Sequence, residues 1–260
     1  MCYKRGRIME PVKKRIAAYW NRRSEAFQTQ RIREYKDEKR VRWLAELNRY
    51  IPQDRPLEVL DLGTGTGYFA FVLAAQGHKT TGIDLSPDMI RRAGETAELL
   101  NLNADFYVMD AERPDFQPES FDVLVSRNLS WTLPHLQEAY RNWYSLLKPG
   151  GVLINFDADY CREVEEGLDE ELPDDHAHKN MDPDLWEENR VISMEISAYQ
   201  MPRPQWDVQL LVEAGFERVC VDMGVYRRIY REKDEFFNPT PIFTLAAYKY
   251  EEKEKEDRKE

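Results

Sequence analysis

The sequence predicts an α/β protein built on a doubly wound, seven-stranded parallel sheet. Three observations carry this. Short apolar runs alternate with segments of helical period along most of the chain. FDVLVS at 121–126 is nearly all apolar, as expected of a strand with both sheet faces covered. Residues 58–70, EVLDLGTGTGYFA, run from an apolar strand through Gly63, Gly65 and Gly67 directly into an apolar helix. That geometry lets backbone approach a nucleotide-like ligand closely.

The elements follow in order. Val12, Ile16, Tyr19, Arg23 and Phe27 form a stripe at helical spacing, which predicts a helix over 11–30. A second helix is expected over 34–50, with Val41, Leu44, Ala45 and Leu47 near one face. Pro52 and Pro56 bracket a loop. Strand 57–62 and helix 67–76 follow, and Gly77 ends the helix before strand 79–84. Ser86-Pro87 opens a helix over 87–101, with the hydroxyl as cap and proline in the first turn. Strand 105–109, a loop with Pro114 and Pro118, strand 121–126 and helix 135–147 come next. Lys148-Pro149-Gly150-Gly151 turns into strand 152–157. Alternation then pauses. Residues 158–204 are acidic and poorly periodic, and read as an insertion with some helix at 184–198. Helix 205–214 and strands 217–224 and 242–250 complete the sheet. Right-handed crossovers favour the doubly wound arrangement. The expected organisation is a helical lid segment (1–50), a ligand-binding core (51–157), an acidic insertion (158–204), the rest of the same α/β domain (205–250) and a solvated charged tail (251–260).

Composition narrows the classes. No apolar run reaches the roughly 18 residues a membrane span needs, and the charged N-terminus lacks a signal core. Cys2, Cys161 and Cys220 are odd in number and far apart, without metal spacing. A reducing cytoplasm is the expected setting. Residues 1–50 hold 15 Lys/Arg and 6 Asp/Glu, whereas residues 161–190 hold 3 and 12. Such asymmetry fits either a nucleic-acid arm or two segments that face each other, and the second is preferred. The net charge of −11 opposes a polyanionic substrate.

The glycine turn does not match a dinucleotide fingerprint, because Tyr68 stands at the sixth position where that motif needs glycine. Asp61 just before the turn, with Thr64 inside it, suits a ligand bearing an amino acid rather than phosphates. Asp84, 21 residues after Gly63, can accept both hydrogen bonds of a ribose diol. At LDLGTGTG (60–67), GIDLSPDM (82–89), VMDAE (108–112), FDVLVSRN (121–128) and LLKPGGVLI (146–154) the chain resembles the class I, Rossmann-like methyltransferases that use S-adenosylmethionine. The resemblance runs from about residue 15 to 156 and resumes for the last two strands. It implies a mostly parallel sheet whose last strand runs antiparallel between its neighbours.

It also implies roles. Gly63 and Gly65 would let backbone approach the methionine half. Asp84 would hold the ribose, with Leu85 and Met89 near the adenine. Asp110 would accept from the adenine amino group beside Ala111, in the segment that includes Glu112. Backbone at Arg127, or its side chain, would meet the methionine moiety. Residues 17–27 resemble the helix that closes over the cofactor in small-molecule methyltransferases, with Tyr19 reaching the cofactor carboxylate and Arg23 pairing with it.

Methyl transfer from a sulfonium needs alignment first and a base only when the acceptor must lose a proton. His135 and Asp157 are candidate bases, with Asp159, His176 and His178 behind them. The last four with Cys161 are chemically able metal ligands, but their spacing is not that of a metal site and none is expected. Asn128, Trp131, Asp157 and Tyr160 are candidates for the acceptor pocket, with Trp186 and Tyr199 as further walls. An aromatic and acidic wall would suit a cationic or amine-bearing acceptor. The functional expectation is methyl transfer to a small molecule, with S-adenosylhomocysteine as product. The alternatives are a tRNA or rRNA methyltransferase, disfavoured because SRNLSWTLP rather than an NPPY-like tetrapeptide follows the fourth strand, and a cofactor-binding protein without turnover.

Overall fold

The computed structural model describes residues 10–160, 172, 182–196, 198 and 201–250. Cys2, Cys161, His176, His178, Tyr199, most of the acidic insertion and the charged tail lie outside them. Seven strands form one sheet: β1 (Glu58–Leu62), β2 (Lys79–Asp84), β3 (Ala104–Val108), β4 (Phe121–Arg127), β5 (Leu147–Asp157), β6 (Arg218–Asp222) and β7 (Phe243–Tyr248). Their order is β3-β2-β1-β4-β5-β7-β6. β7 is antiparallel to both neighbours and the other pairs are parallel. The order in which strands are added to the sheet reverses between β1 and β4, and in such sheets the ligand crevice opens at the strands' carboxyl ends.

The apolar run of β4 has the reason expected of it. Val123 and Val125 enter a core with α1 (Pro11–Lys36), α2 (Lys39–Leu47) and α3 (Tyr68–Ala74), while Leu124 joins the opposite core with α5 (Leu136–Leu146). β1 divides likewise, Val59 to one side and Leu60 and Leu62 to the other. On the second face, α7 (Gln205–Ala214) supplies Leu210 and Leu211. α4 (Pro87–Leu100) begins as the sequence indicates: Ser86 Oγ accepts from the Met89 N–H at 3.1 Å, with Pro87 in the first turn.

Three boundaries differ from expectation. α1 extends to Lys36, because the cavity-facing stripe continues past Phe27 through Arg31 to Glu34. β5 begins at Leu147 and not 152, since Leu147 pairs with Phe121 across an irregularity before Val152 resumes the register. A short helix, α8 (Val225–Ile229), was not foreseen; its buried Val225 and Ile229 pack under α2.

α1 crosses the carboxyl ends of the strands, and one buried ionic group fixes it there. Glu34 is fully buried. Its carboxylate accepts from Arg127 at 2.9 and 3.2 Å, from the Trp43 indole N–H at 3.0 Å, and from Arg31. Burial by itself would raise this carboxyl, but Arg127 and Arg31 outweigh it and hold it at about 2. The Arg127 guanidinium also lies 4.3 Å from the centre of the Trp43 ring. Removing one partner of such a pair strands the other charge. Glu34→Gln is therefore expected to cost about 3–5 kcal/mol, read from the urea midpoint, whereas an exposed pair such as Arg91–Glu95 should contribute under about 1 kcal/mol. Because the native carboxyl sits below its unfolded value, its stabilisation is present above pH ~4.5 and is lost as pH falls toward 2.

Candidate active site

β1 delivers the chain into the glycine turn. The Thr64 N–H donates to the Ile83 carbonyl and the Gly67 N–H to the Thr64 carbonyl, each at 2.9 Å. Gly63 and Gly65 adopt φ of 62° and 55°, a left-handed backbone that side chains disfavour. Space is tight for a side chain as well. A Cβ at Gly63 would stand 2.5 Å from Leu129, and one at Gly65 3.1 Å from Phe27. The turn is thus packed from β4's loop on one side and from α1 on the other.

Asp61 ties this turn to α3. Its Oδ2 accepts from the Thr64 hydroxyl at 2.6 Å and from the Ala70 N–H at 3.1 Å. Burial pushes its carboxyl up to about 7. Asp84 ends β2 and is fixed by two backbone donors, Gly65 N–H at 2.9 Å and Ser86 N–H at 2.8 Å. Burial raises it to about 6, only partly opposed by those donors.

Above the turn lies a cavity of about 220 Å³. Of the residues singled out from sequence, Tyr19, Asp61, Gly63, Thr64, Gly65, Asp84, Leu85, Met89, Asp110, Ala111, Arg127, Asn128, Trp131 and Tyr160 line it. Asp110 stands at one end and is already engaged: Oδ1 accepts from the Glu112 N–H at 2.9 Å, and Oδ2 pairs with Lys13 of α1 at 2.7 Å. At the other end the Trp131 and Tyr160 rings approach to 5.2 Å, with Trp186 beside them.

Three expectations need correction. Asp157 does not face the cavity. It is fully buried and accepts from the Ser130 hydroxyl and from the Trp131 and Ala158 N–H groups at 3.1 and 2.8 Å. Arg203, also fully buried at its side chain, stands 3.6 Å away and spans to Asp207 at 2.7 Å. His135 lies outside the cavity too, half-exposed at the start of α5, with Nε2 3.0 Å from Glu10. Glu112 is buried beneath the wall, where it pairs with Lys13 and accepts from the His135 N–H at 2.6 Å. The acceptor wall also differs from the acidic one expected. Among the described residues the lining carboxylates are Asp61, Asp84 and Asp110, all at the tips of β1–β3; the β4–β5–β7 end offers rings, Asn128, Asn189, Asn238 and the α1 cations.

Sequence reasoning missed Arg31, Tyr68, Tyr230 and the Phe236–Pro239 loop, which also line the cavity. Arg31 was within reach, because it continues the Tyr19–Arg23–Phe27 stripe by one further turn. The 236–239 loop carries no motif. Among the described residues no group of three or more His, Cys, Asp or Glu is arranged to hold a metal, and no helix is long and apolar enough to cross a membrane. The facing of basic and acidic segments is visible directly: Arg15 bonds Glu188 at 3.0 Å and Glu195 at 2.6 Å, and Arg22 reaches Asp182 at 3.5 Å.

Residues 59–151 match a family model described as a methyltransferase domain. With the sheet order and the glycine turn, this match makes residues 59–151 similar to the class I, S-adenosylmethionine-dependent methyltransferase domain. Among its relatives, phosphoethanolamine N-methyltransferase 3 of Arabidopsis thaliana is 33% identical over 196 residues, covering 70% of this chain and 35% of that protein. A ubiquinone biosynthesis O-methyltransferase of Coxiella burnetii is 34% identical over 109 residues, covering 41% of this chain and 47% of that one. The matched region thus spans about a third to a half of these curated relatives. A solved structure of Haemonchus contortus phosphoethanolamine N-methyltransferase 2 with S-adenosyl-L-methionine superposes with a TM-score of 0.56 at 20% identity, over 80% of this chain and 52% of that one. It shares the fold.

The corrected position of Asp157 has a measurable consequence. Asp157→Asn is expected to lower the melting temperature by several degrees, since Arg203 loses one of its two buried carboxylates. Ligand affinity of the remaining folded protein should stay within about twofold of the parent, because the side chain does not reach the cavity. A selective loss of ligand binding at unchanged melting temperature would return Asp157 to the site.

Proposed function

We propose that this protein transfers a methyl group from S-adenosylmethionine to a small-molecule acceptor by in-line displacement, releasing S-adenosylhomocysteine. The observation that carries the reading is the Asp84 carboxylate, fixed by the Gly65 and Ser86 N–H groups beside a turn where a Cβ has little room. That pairing suits a ribose diol next to an extended amino-acid chain. When bound, the cofactor supplies the methyl group on a sulfonium, which is a good leaving group.

The chain's own residues bind, orient and exclude water. Asp84 accepts from the ribose hydroxyls. Leu85, Met89 and Ala111 present an apolar slot for the base. Asp110 accepts from the exocyclic amine with its free lone pairs, Lys13 holding the carboxylate in place. Gly63 and Gly65 admit the methionine chain, which then runs toward Tyr68 and Arg127. Arg31 stands there, its guanidinium 6.0 Å from the Tyr68 ring, and receives the cofactor's carboxylate in place of the Arg23 expected from sequence. Tyr19, Trp20 and Phe27 of α1 roof the site.

Among the described residues that line the cavity, none is a histidine, lysine, cysteine or glutamate. The three lining aspartates belong to the cofactor half. The acceptor therefore arrives in its nucleophilic form, and catalysis rests on near-attack alignment. The basic N-terminal region gives no support to a nucleic-acid substrate, since Arg15 and Arg22 are spent on α6 (Pro183–Met194) and the residues next to it.

Two measurements test this reading. Calorimetry should detect S-adenosylhomocysteine binding that Asp84→Ala weakens by at least tenfold; absence of any signal with the parent protein overturns the proposal. The ionised form of Asp84 is the acceptor, and its carboxyl is raised to about 6. Affinity should accordingly be flat above pH ~7 and fall below pH 6, approaching about tenfold per unit as the competent fraction shrinks. Asp84→Asn should lose that pH dependence.

A further inference from the structure

Three arginines line the cavity, and they are not equivalent. Arg127 is consumed by its two-pronged contact with Glu34. Arg31 shares that carboxylate through one nitrogen, stacks over Phe27 at 4.5 Å and, in the reading above, meets the cofactor. Arg23 pairs with no carboxylate among the described residues. Its guanidinium donates to the Tyr19 hydroxyl at 3.0 Å and stands 5.7–5.8 Å from the Tyr19 and Trp20 ring centres. Most other arginines of α1 are matched: Arg15 with Glu188 and Glu195, Arg22 with Asp182, Arg33 with Glu235. Of the two α1 arginines that line the cavity, Arg23 is the one without a carboxylate partner among the described residues.

Its position separates it from Arg31. The two are eight helical positions apart, about 12 Å along the axis. The Phe27 ring, seated over Gly65, stands in that interval. Each guanidinium leans on different rings, Arg31 on Phe27 and Tyr68, Arg23 on Tyr19 and Trp20. One carboxylate does not serve both. Tyr19 packs with Trp131 and Ile192, so Arg23 belongs to the end walled by Trp131, Tyr160 and Trp186. No described carboxylate lines that end. A sulfonium beside an unmatched guanidinium makes a positive field there, which draws anions and repels cations.

We propose that the acceptor carries an oxyanion, a carboxylate or a phosphate, which Arg23 receives while the aromatic walls hold the rest of the molecule. This rests on the methyltransferase reading and replaces the amine-selective wall expected from sequence. Guanidinium geometry matches both oxyanions.

The test uses the full chain saturated with S-adenosylhomocysteine, whose own binding is measured first and reports on the methyltransferase reading separately. Matched probes are then titrated: 4-hydroxybenzoate against 4-hydroxybenzamide, and O-phosphoethanolamine against ethanolamine. The anionic member of at least one pair should bind ten times more tightly or better, and the pair that responds identifies carboxylate or phosphate as the group. Arg23→Gln should erase the preference and leave S-adenosylhomocysteine affinity within twofold, while Arg23→Lys should keep part of it. Equal binding of the members with and without the oxyanion, or binding of neither anion, overturns the proposal. So does an Arg23→Gln protein whose S-adenosylhomocysteine affinity falls tenfold, since Arg23 would then hold the cofactor.

Discussion

The Glu34 carboxylate, buried between α1 and the tip of β4, is the contact on which the site depends. Taking a carboxylate and a guanidinium out of water costs several kcal/mol each, and their attraction offsets this only with good geometry and full hydrogen bonding. Both conditions hold at the carboxylate, although the Arg127 Nε is left without a hydrogen-bond partner among the described residues. Arg127 grips the carboxylate with two nitrogens, and Trp43 and Arg31 fill its remaining positions. An apolar cluster at this spot would pack α1 equally well. It would not fix the rotation of the helix about its axis. The directional pair does, and rotation decides which side chains of α1 face the cavity.

Further contacts along α1 act in the same sense. Lys13 bonds Asp110, Asn21 meets Ser86, and Gln28 reaches Thr96. Asp110 and Ser86 sit where a strand ends and the next segment starts, and Thr96 lies further along α4. The residues that roof the cavity are thereby registered against the residues that floor it. This matters because a methyl transfer catalysed by alignment is sensitive to displacements of about 1 Å. The α1–α6 ion pairs are more exposed and salt-screened, so they contribute orientation more than stability.

Much of this was legible in the sequence because short-range constraints write themselves as residue types. A left-handed turn with little room for a Cβ reads as glycine at 63 and 65. A capped helix start reads as Ser86-Pro87, and a strand covered on both faces reads as FDVLVS. The wall formed by Arg31, Tyr230 and the 236–239 loop was not legible for the opposite reason. Arg31, Tyr230 and Phe236–Pro239 come together only through the crossing of distant elements, and none of them needs a distinctive neighbour in sequence. The end of α1 was misread because the stripe was followed only as far as Phe27, although Arg31 and Glu34 continue it.

The misplacement of Asp157 and His135 follows from how this fold uses charge. A carboxylate at the end of a central strand has two possible fates, to meet ligand or to hold the loop that follows. At β2 the backbone donors to Asp84 leave it open to the cavity. At β5 the Ser130 hydroxyl, two backbone N–H groups and Arg203 surround Asp157 completely. Arg203 arrives from just before α7, some 45 residues after β5, so the difference between the two aspartates is invisible in their local sequence. With those groups committed to structure, the cavity keeps aspartates only where the cofactor reading needs acceptors. Its opposite end keeps rings, amides and one unmatched guanidinium. On the proposed reading, such a pocket would select its acceptor by charge and shape and leave the reactivity of the nucleophile to the acceptor itself.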